Sequence, residues 1–144
     1  DGGDQDARET HFASKVKLYL DNDLIGTENS HAQDNYALDH PIFQHIAALS
    51  KIRLATPALR RGSTIVRNHG EKPGLFAFSR IDAASGQEIL VVVNTSDEPV
   101  TGNVELDPSS TSFSSVHGAC PVLNAPGSVK VSLLPLDYVI CAVK

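Results

Sequence analysis

The stretch from Gly74 to Ser96, GLFAFSRIDAASGQEILVVVNTS, decides the fold that we predict for this chain. Aromatic and branched residues fill Leu75–Ile81, small turn-forming residues follow, and Glu88–Asn94 contains five large apolar residues in succession. Neighbouring side chains in a strand point to opposite faces of the sheet, so these residues cannot all face one side. We therefore predict two strands joined by a turn, the second of them central in its sheet and covered on both faces.

Five further segments with strand-like composition lie in the chain from Ser63 onward, separated by clusters of Gly, Pro, Ser, Asn and Asp. They are residues 63–67, 100–106, 113–117, 129–133 and 137–143. Seven short strands with no helix between them indicate an antiparallel sandwich. The final pair of strands is expected to return the chain to the centre of the sheet. The predicted fold class is mainly β, a Greek-key-like β-sandwich preceded by a long loop and one α-helix.

The predicted helix lies between Pro41 and Pro57, ahead of the strands. Proline suits a first helical turn, where its missing N–H costs no hydrogen bond, and a second proline ends the pattern. Apolar residues recur at helical spacing and form an apolar stripe: Ile42, Ile46, Leu49 and Ile52. One further helical turn is expected from Pro57 to Gly62.

Residues 1–39 are irregular and acidic, and we predict a long structured loop. A short helix between Phe12 and Leu20 is an alternative that the mixed pattern leaves open. A loop of this length is unusual inside a small compact domain, so it fits a piece of a larger body that supplies its packing surface.

Length and charge narrow the possible partners. The 144 residues suit one ordinary domain, or a small domain with part of another. A net charge of -5 and scattered basic residues argue against nucleic acid and against a membrane surface. No apolar run reaches the roughly 20 residues of a membrane helix. The chain opens without Met, which we interpret as a fragment of something longer, so its localisation stays open, an extracytoplasmic site included.

The two cysteines, Cys120 and Cys141, have neither a CxxC spacing nor a zinc-like His spacing. Cys141 lies in an apolar strand, where a free thiol commonly packs as a small hydrophobic group. A disulfide would require Cys120 in the loop beside that strand. We predict a buried free thiol in preference to a bridge.

Candidate groups for catalysis and metal binding are few. Four carboxylates crowd the first nine positions, but their spacing is not that of a calcium loop, and we interpret them as a solvated acidic loop: Asp1, Asp4, Asp6 and Glu9. The six histidines form no HxH or HExxH motif, so we predict capping, packing and surface roles for them: His11, His31, His40, His45, His69 and His117. We predict no catalytic residue, no metal site and no cofactor, and the substrate-binding residues stay unidentified.

Carbohydrate binding is the non-enzymatic alternative for a β-sandwich. Sugar rings stack on flat aromatic faces, and this chain has no Trp. Its tyrosines are Tyr19, Tyr36 and Tyr138, and we expect Tyr138 to pack inside the last strand. Strong autonomous binding of a glycan is therefore not predicted.

Three stretches, taken in their order, resemble the C-terminal portion of an α-amylase-family glycoside hydrolase. Residues 2–9 and 23–27 are similar to the loop after the eighth strand of the family's (β/α)₈ barrel. Residues 40–53 and 57–62 are similar to the last helix of the barrel and its exit turn. Residues 75–80 and 91–94 are similar to central strands of the family's C-terminal β-domain.

The resemblance implies a terminal loop and last barrel helix in residues 1–62, and a C-terminal β-sandwich domain in residues 63–144. It implies a parent enzyme acting on α-1,4-glucans such as starch, glycogen or maltodextrin, a retaining hydrolase or transglycosylase whose carboxylates lie outside this sequence. The chain would pack on and stabilise the catalytic barrel, its partners would be that barrel and α-glucan through the parent active site, and the chain alone is expected to be inactive. The alternatives are a stand-alone carbohydrate-binding or protein-interaction module, and self-association through the apolar stripe.

Overall fold

The computed structural model describes residues 10–121 and 123–144, and of residues 123 and 124 only the backbone. The chain divides into two compact units, an N-terminal unit up to Lys51 and a β unit from Ile52 onward. The predicted division at residue 62 concerns the parts of a parent enzyme, and it stays a prediction. Within the described residues, no helix is both long and apolar enough to cross a membrane.

The N-terminal unit consists mainly of irregular chain, as predicted. It contains a single-turn helix α1, Lys17–Leu20, and most of the long helix α2, Pro41–Ala55. Two backbone hydrogen bonds hold the irregular segments together: Ser14 donates to the carbonyl of His31, and Asn35 donates to that of His11, each over 2.8 Å. The predicted helix start at proline is therefore confirmed, and the alternative of a short helix near Leu20 is realised by α1.

The β unit begins with a short helix α3, Pro57–Arg61, and continues as antiparallel strands. The strands are β1 Ser63–Asn68, β2 Leu75–Ile81, β3 Glu88–Asn94, β4 Val100–Glu105, β5 Phe113–His117, β6 Leu123–Ala125, β7 Ser128–Leu133 and β8 Tyr138–Val143. One sheet has the order β1-β2-β3-β8-β5 and the other has the order β4-β7-β6. The mainly β, sandwich-like fold is confirmed, and the short strand β6 is an element that we did not predict.

Strand β3 has the central place that its apolar run predicts. Leu90 and Val92 are fully buried in the core between the two sheets. Ile89 and Val91 are buried on the opposite, outer face, where α3 packs against β2 and β3. Only Val93, at the end of the run, is half-buried. The prediction that both faces of this strand are covered is therefore confirmed for four of its five apolar residues.

The sandwich core consists of inward-facing residues from both sheets. Its buried members are Ala77, Leu90, Val92, Val104, Leu106, Val129, Val131, Leu133, Val139 and Cys141. Of the final pair, β8 lies between β3 and β5 as predicted, whereas β7 lies between β4 and β6 in the other sheet, so the two strands do not share one sheet. Leu136, with φ 56°, lies in the connection that carries the chain from one sheet to the other.

The prediction of a free thiol at Cys141 is wrong, because Cys120 and Cys141 form a disulfide. The register of β5 against β8 shifts between Ser115 and His117, and Gly118 then adopts a positive φ of 71°. This local reversal places the following loop beside β8, with the two cysteine Cα atoms 5.8 Å apart. The sequence predicted the burial of Cys141 correctly, but it could not reveal where the loop returns.

Candidate functional site

Of the candidate groups predicted from the sequence, the six histidines lie in the described part of the chain and the acidic cluster does not. Asp1, Asp4, Asp6 and Glu9 lie outside the described residues. In the part of the chain that is described, no group of three or more His, Cys, Asp or Glu side chains could hold a metal ion.

His40 has a capping role at the start of α2. Its Nδ1 accepts a hydrogen bond from the backbone N–H of Ile42 over 3.2 Å, so the ring proton lies on Nε2. Nε2 then donates to the carbonyl of Ile25 over 2.8 Å. Gly26 has a positive φ of 76°, and a Cβ there would lie 3.3 Å from the His40 ring. The ring thus ties the preceding loop to the helix.

This connection forms one side of an apolar groove within the N-terminal unit. The groove has a volume of about 500 Å³. Its large apolar lining residues are Leu24, Ile25, Tyr36, Leu38, Ile42, Phe43 and Ile46. Tyr36 also contacts the ring of Phe12 edge-on, with the two ring centroids 5.5 Å apart. We call this feature the apolar groove below.

The apolar groove has almost no hydrophobic core beneath it. Among the described residues of the N-terminal unit, His31 is the only one that is fully buried. Ile25 and Leu38 are 80% and 68% exposed, and Ile46 is 58% exposed. Full burial of one such side chain stabilises a protein by about 1.5–3 kcal/mol. Contiguous exposed apolar surface of this kind marks an interaction site.

Half of the predicted apolar stripe lines this groove. Ile42 and Ile46 contribute to it and are exposed, whereas Leu49 and Ile52 are half-buried. We had not predicted that Leu24, Leu38 and Tyr36 would join them, because these residues lie in irregular chain without periodicity. The Gly26 turn and the Pro41 helix start are the only sequence signals that connect the loop to the helix.

The β unit contains a second cavity, a polar cleft of about 370 Å³ at one end of the sandwich. Arg67 donates from Nε to Ser79 Oγ over 2.8 Å and from Nη2 to Glu88 Oε1 over 2.7 Å. Ser79 Oγ also donates to the same oxygen of Glu88. Ser79 is fully buried, and the Arg67 and Glu88 side chains are 15% and 12% exposed. The cleft therefore has a charged floor at the edge of an apolar core.

The walls of the polar cleft come from two other segments. Asp107, Ser109 and Ser110 follow β4, and Lys144 follows β8. Hydrogen bonds from Ser109, through its hydroxyl and its backbone N–H, lower the pKa of Asp107 below its usual value, and the charge of Arg67 adds to this effect. The aspartate is thus an ionised acceptor at the mouth of the cleft.

We did not predict the polar cleft, although part of its signal is present in the sequence. Alternation places Glu88 on the same face of β3 as Leu90 and Val92, so a charge on the core side was visible. Alternation along the strand could not predict that the side chain of Arg67 joins Glu88 in this cleft. Arg67 lies at a register shift of β1 between Val66 and Asn68, and periodicity does not show such a shift.

Tyr138 does not pack inside the protein as expected. It is half-buried on the outer face of the larger sheet, where its ring stacks on His117 with centroids 4.6 Å apart and planes 9° apart. Burial raises the pKa of the Tyr138 phenol. Because His117 covers one face of the ring, only the other face could contact a ligand.

Comparison with known proteins agrees with the fold. No family model matches the chain. An alpha-amylase from Streptomyces lividans is 33% identical over 132 residues, which cover 92% of this chain and 14% of that protein. The crystal structure of an Anoxybacillus alpha-amylase matches with a TM-score of 0.60 at 17% identity, over 81% of this chain and 25% of that one. The trehalulose synthase MutB from Pseudomonas mesoacidophila MX-45 matches with a TM-score of 0.51 at 26% identity, over 72% and 18% of the two chains.

The chain thus combines a mainly β, sandwich-like unit with an N-terminal unit that carries an exposed apolar groove. The predicted resemblance to the α-amylase family of glycoside hydrolases is confirmed by the similarity of 92% of this chain to the Streptomyces lividans alpha-amylase. The chain spans 14% of the length of the curated relative that it matches.

Proposed function

We propose that this chain is the C-terminal part of an α-amylase-like enzyme that acts on α-1,4-linked glucans. In the whole enzyme it packs on the catalytic barrel and stabilises it, while the catalytic carboxylates lie elsewhere in the parent. The exposed apolar groove is the observation that carries this proposal. Ile42, Phe43 and Ile46 present one face of α2 that the N-terminal unit leaves uncovered.

The energetics of the N-terminal unit support a large covering partner. Ordering one residue of backbone costs about 1–2 kcal/mol of conformational entropy, which small domains offset by burying apolar side chains. Among its described residues this unit buries no apolar side chain fully. Contact with the rest of a barrel would supply the missing burial, because the helices of such a barrel pack their apolar faces on its strands.

The electrostatics of the polar cleft support a catalytic centre elsewhere. Retaining glycosidases need a protonated acid with a raised pKa and a free carboxylate nucleophile, about 5–5.5 Å apart. In the cleft, Glu88 is bound to Arg67 and Ser79, and the pKa of Asp107 is lowered. Glu88 is thus occupied by two hydrogen-bond donors, and the lowered pKa of Asp107 does not suit a proton donor at neutral pH. We therefore assign no catalytic role to this chain.

A segment exchange tests the proposal. Residues 1–144 would replace the matching segment of the Streptomyces lividans alpha-amylase, and starch hydrolysis would be measured for the exchanged enzyme, the parent, and a parent lacking the segment. We expect the exchanged enzyme to hydrolyse starch, the truncated enzyme to lose thermal stability, and the isolated chain to release no sugar. Release of sugar by the isolated chain, or full stability of the truncated enzyme, would contradict the proposal.

A stand-alone interaction module is the second candidate function, and the same exposed face of α2 favours it. In this case Ile42 and Ile46 would contact another protein or a second copy of the chain. Analytical ultracentrifugation of the isolated chain separates the two cases. A mass that rises to a dimer with concentration supports self-association, whereas a constant monomer mass contradicts it.

A further inference from the structure

The polar cleft of the β unit is built around an irregularity in strand β1. The pairing of β1 with β2 shifts between Val66 and Asn68, which leaves Arg67 as the extra residue. Such bulges redirect a side chain and occur often beside functional sites. Here the bulge aims the guanidinium at Ser79 and Glu88, which lie on the core-facing side of β2 and β3.

The ion pair between Arg67 and Glu88 is an unfavourable way to stabilise the fold alone. Taking an ion pair out of water costs free energy that its mutual attraction often fails to recover. The two carboxylates of the cleft also keep oxygen atoms that accept no hydrogen bond from the described part of the protein. Glu88 Oε1 accepts from Arg67 and from Ser79, and Asp107 Oδ1 accepts from Ser109. Within the described residues, Glu88 Oε2 and Asp107 Oδ2 accept no hydrogen bond, so the cleft holds acceptors that a ligand could fill.

The charges of the cleft select the kind of ligand. The two carboxylates of Glu88 and Asp107 oppose an anion, and the cationic groups of Arg67 and Lys144 oppose a cation. No metal-binding group is found among the described residues. The charged floor and walls do not suit an apolar ligand, because burying them without hydrogen bonds would be unfavourable. A neutral molecule with many hydroxyl groups can both donate to the carboxylates and accept from Arg67.

We propose that the polar cleft binds a neutral sugar, and that this sugar is a short α-glucan. The first part follows from the lining of the cleft. The second part, the α-linkage, rests on the proposed function. Glu88 and Asp107 would accept hydrogen bonds from sugar hydroxyls, Arg67 would donate to them, and Ile65 and Val143 would contact the apolar edges of the ring. The volume of about 370 Å³ lies in the range of small-ligand sites.

The affinity that we expect is weak. Tight sugar sites stack the ring on an aromatic face, and no aromatic side chain is among the lining residues of the cleft. A dissociation constant of the order of millimolar is therefore expected, since polar contacts alone must offset the ordering of the ligand. Weak binding of this kind would hold the β unit near a polymeric substrate without competing with turnover.

The test is a titration of the isotope-labelled 144-residue chain with maltotriose, followed by backbone amide shifts. Cellotriose, which has the same glucose units in β-linkage, is the matched sugar. We expect saturable shifts centred on Ile65, Gly86 and Ser109. In Asp107→Asn, which keeps an acceptor for Ser109 but lacks the charge, maltotriose should bind roughly tenfold more weakly. Asp97→Asn, in the connection after the opposite end of β3, is the control and should bind as the unsubstituted chain does.

Each outcome bears on a different part of the proposal. Binding of maltotriose alone supports the whole proposal, and equal binding of the two trisaccharides keeps the sugar site but overturns its α-glucan specificity. The absence of saturable shifts with either sugar, or shifts centred elsewhere, overturns the site. The segment exchange described above judges the proposed function separately. An unchanged affinity in Asp107→Asn would overturn the role of this carboxylate as an acceptor.

Discussion

Arg61 donates a hydrogen bond from Nε to Asp82 Oδ1 over 3.0 Å, and this contact ties the last turn of α3 to the hairpin between β2 and β3. The Asp82 side chain is only 4% exposed. Its other oxygen accepts from Ser85 Oγ over 2.7 Å, so the carboxylate fixes the hairpin turn as well as the helix. The hydrogen bond from Arg61, and then that from Ser85, lower the pKa of Asp82.

The first prediction concerns acid stability. A carboxylate with a lowered pKa in the folded state contributes stability at pH values above its unfolded pKa of about 3.9, and this contribution is lost as the pH falls toward the folded pKa. Asp82→Asn should therefore unfold at a lower temperature than the unsubstituted chain near neutral pH, and the difference should shrink below about pH 4. Thermal unfolding followed by circular dichroism across this range is the measurement. Asp97→Asn, at an exposed aspartate, is the control, and a difference independent of pH would contradict the prediction.

The second prediction concerns the disulfide between Cys120 and Cys141, which closes a loop across a sequence separation of 21. Replacement of both cysteines by alanine should lower the free energy of unfolding by about 2–4 kcal/mol, because the unfolded chain gains freedom. Urea unfolding of the oxidised chain, the reduced chain and the double variant measures this loss. The double variant should not respond to dithiothreitol, and equal stability of the oxidised and reduced chains would show that the bond contributes nothing.

The third prediction concerns the core behind β3. Leu90 is fully buried between the two sheets, so Leu90→Ala should cost about 2–5 kcal/mol of unfolding free energy. Leu134 is 67% exposed, and Leu134→Ala should change stability by less than about 0.5 kcal/mol. Chemical denaturation of the two variants compares them directly. Similar losses at the two positions would mean that Leu90 is not in the core.

The fourth prediction concerns the apolar groove. Ile46→Lys places a charged side chain on a groove residue that is 58% exposed, so the isolated chain should keep its unfolding temperature. Binding of a hydrophobic fluorescent dye to the chain should fall, and the exchanged amylase described above should become less thermostable. Ser50→Lys adds the same charge to an exposed position of α2 outside the groove and is the matched control. Equal effects of the two variants in the exchanged enzyme would argue against contact between the groove and the barrel.

Much of the fold could be predicted because it depends on local patterns. The apolar run in β3 required two covered faces, and Pro41 and Pro57 bounded α2 correctly. Strand β6 was missed although Pro126-Gly127, a common turn pair, separates it from β7 and Gly127 adopts a positive φ of 71°.

The functional features were less predictable, because they depend on contacts between distant segments. The bulge that redirects Arg67 and the reversal at Gly118 that brings Cys120 to Cys141 leave no periodic signal. The stripe residues Ile42 and Ile46 were visible in the sequence as a helix face. The sequence did not show that irregular chain would join them in a groove.

The place of β8 between β3 and β5 has a consequence for how the chain acquires its structure during synthesis. An interior strand of the larger sheet, β8, is the eighth strand in chain order, so β5 has no neighbour in its own sheet until β8 leaves the ribosome. Pairing between segments so far apart is slow to form, and waiting strands are prone to associate with other nascent chains. We therefore expect ribosome-bound intermediates that end before Tyr138 to depend on chaperones.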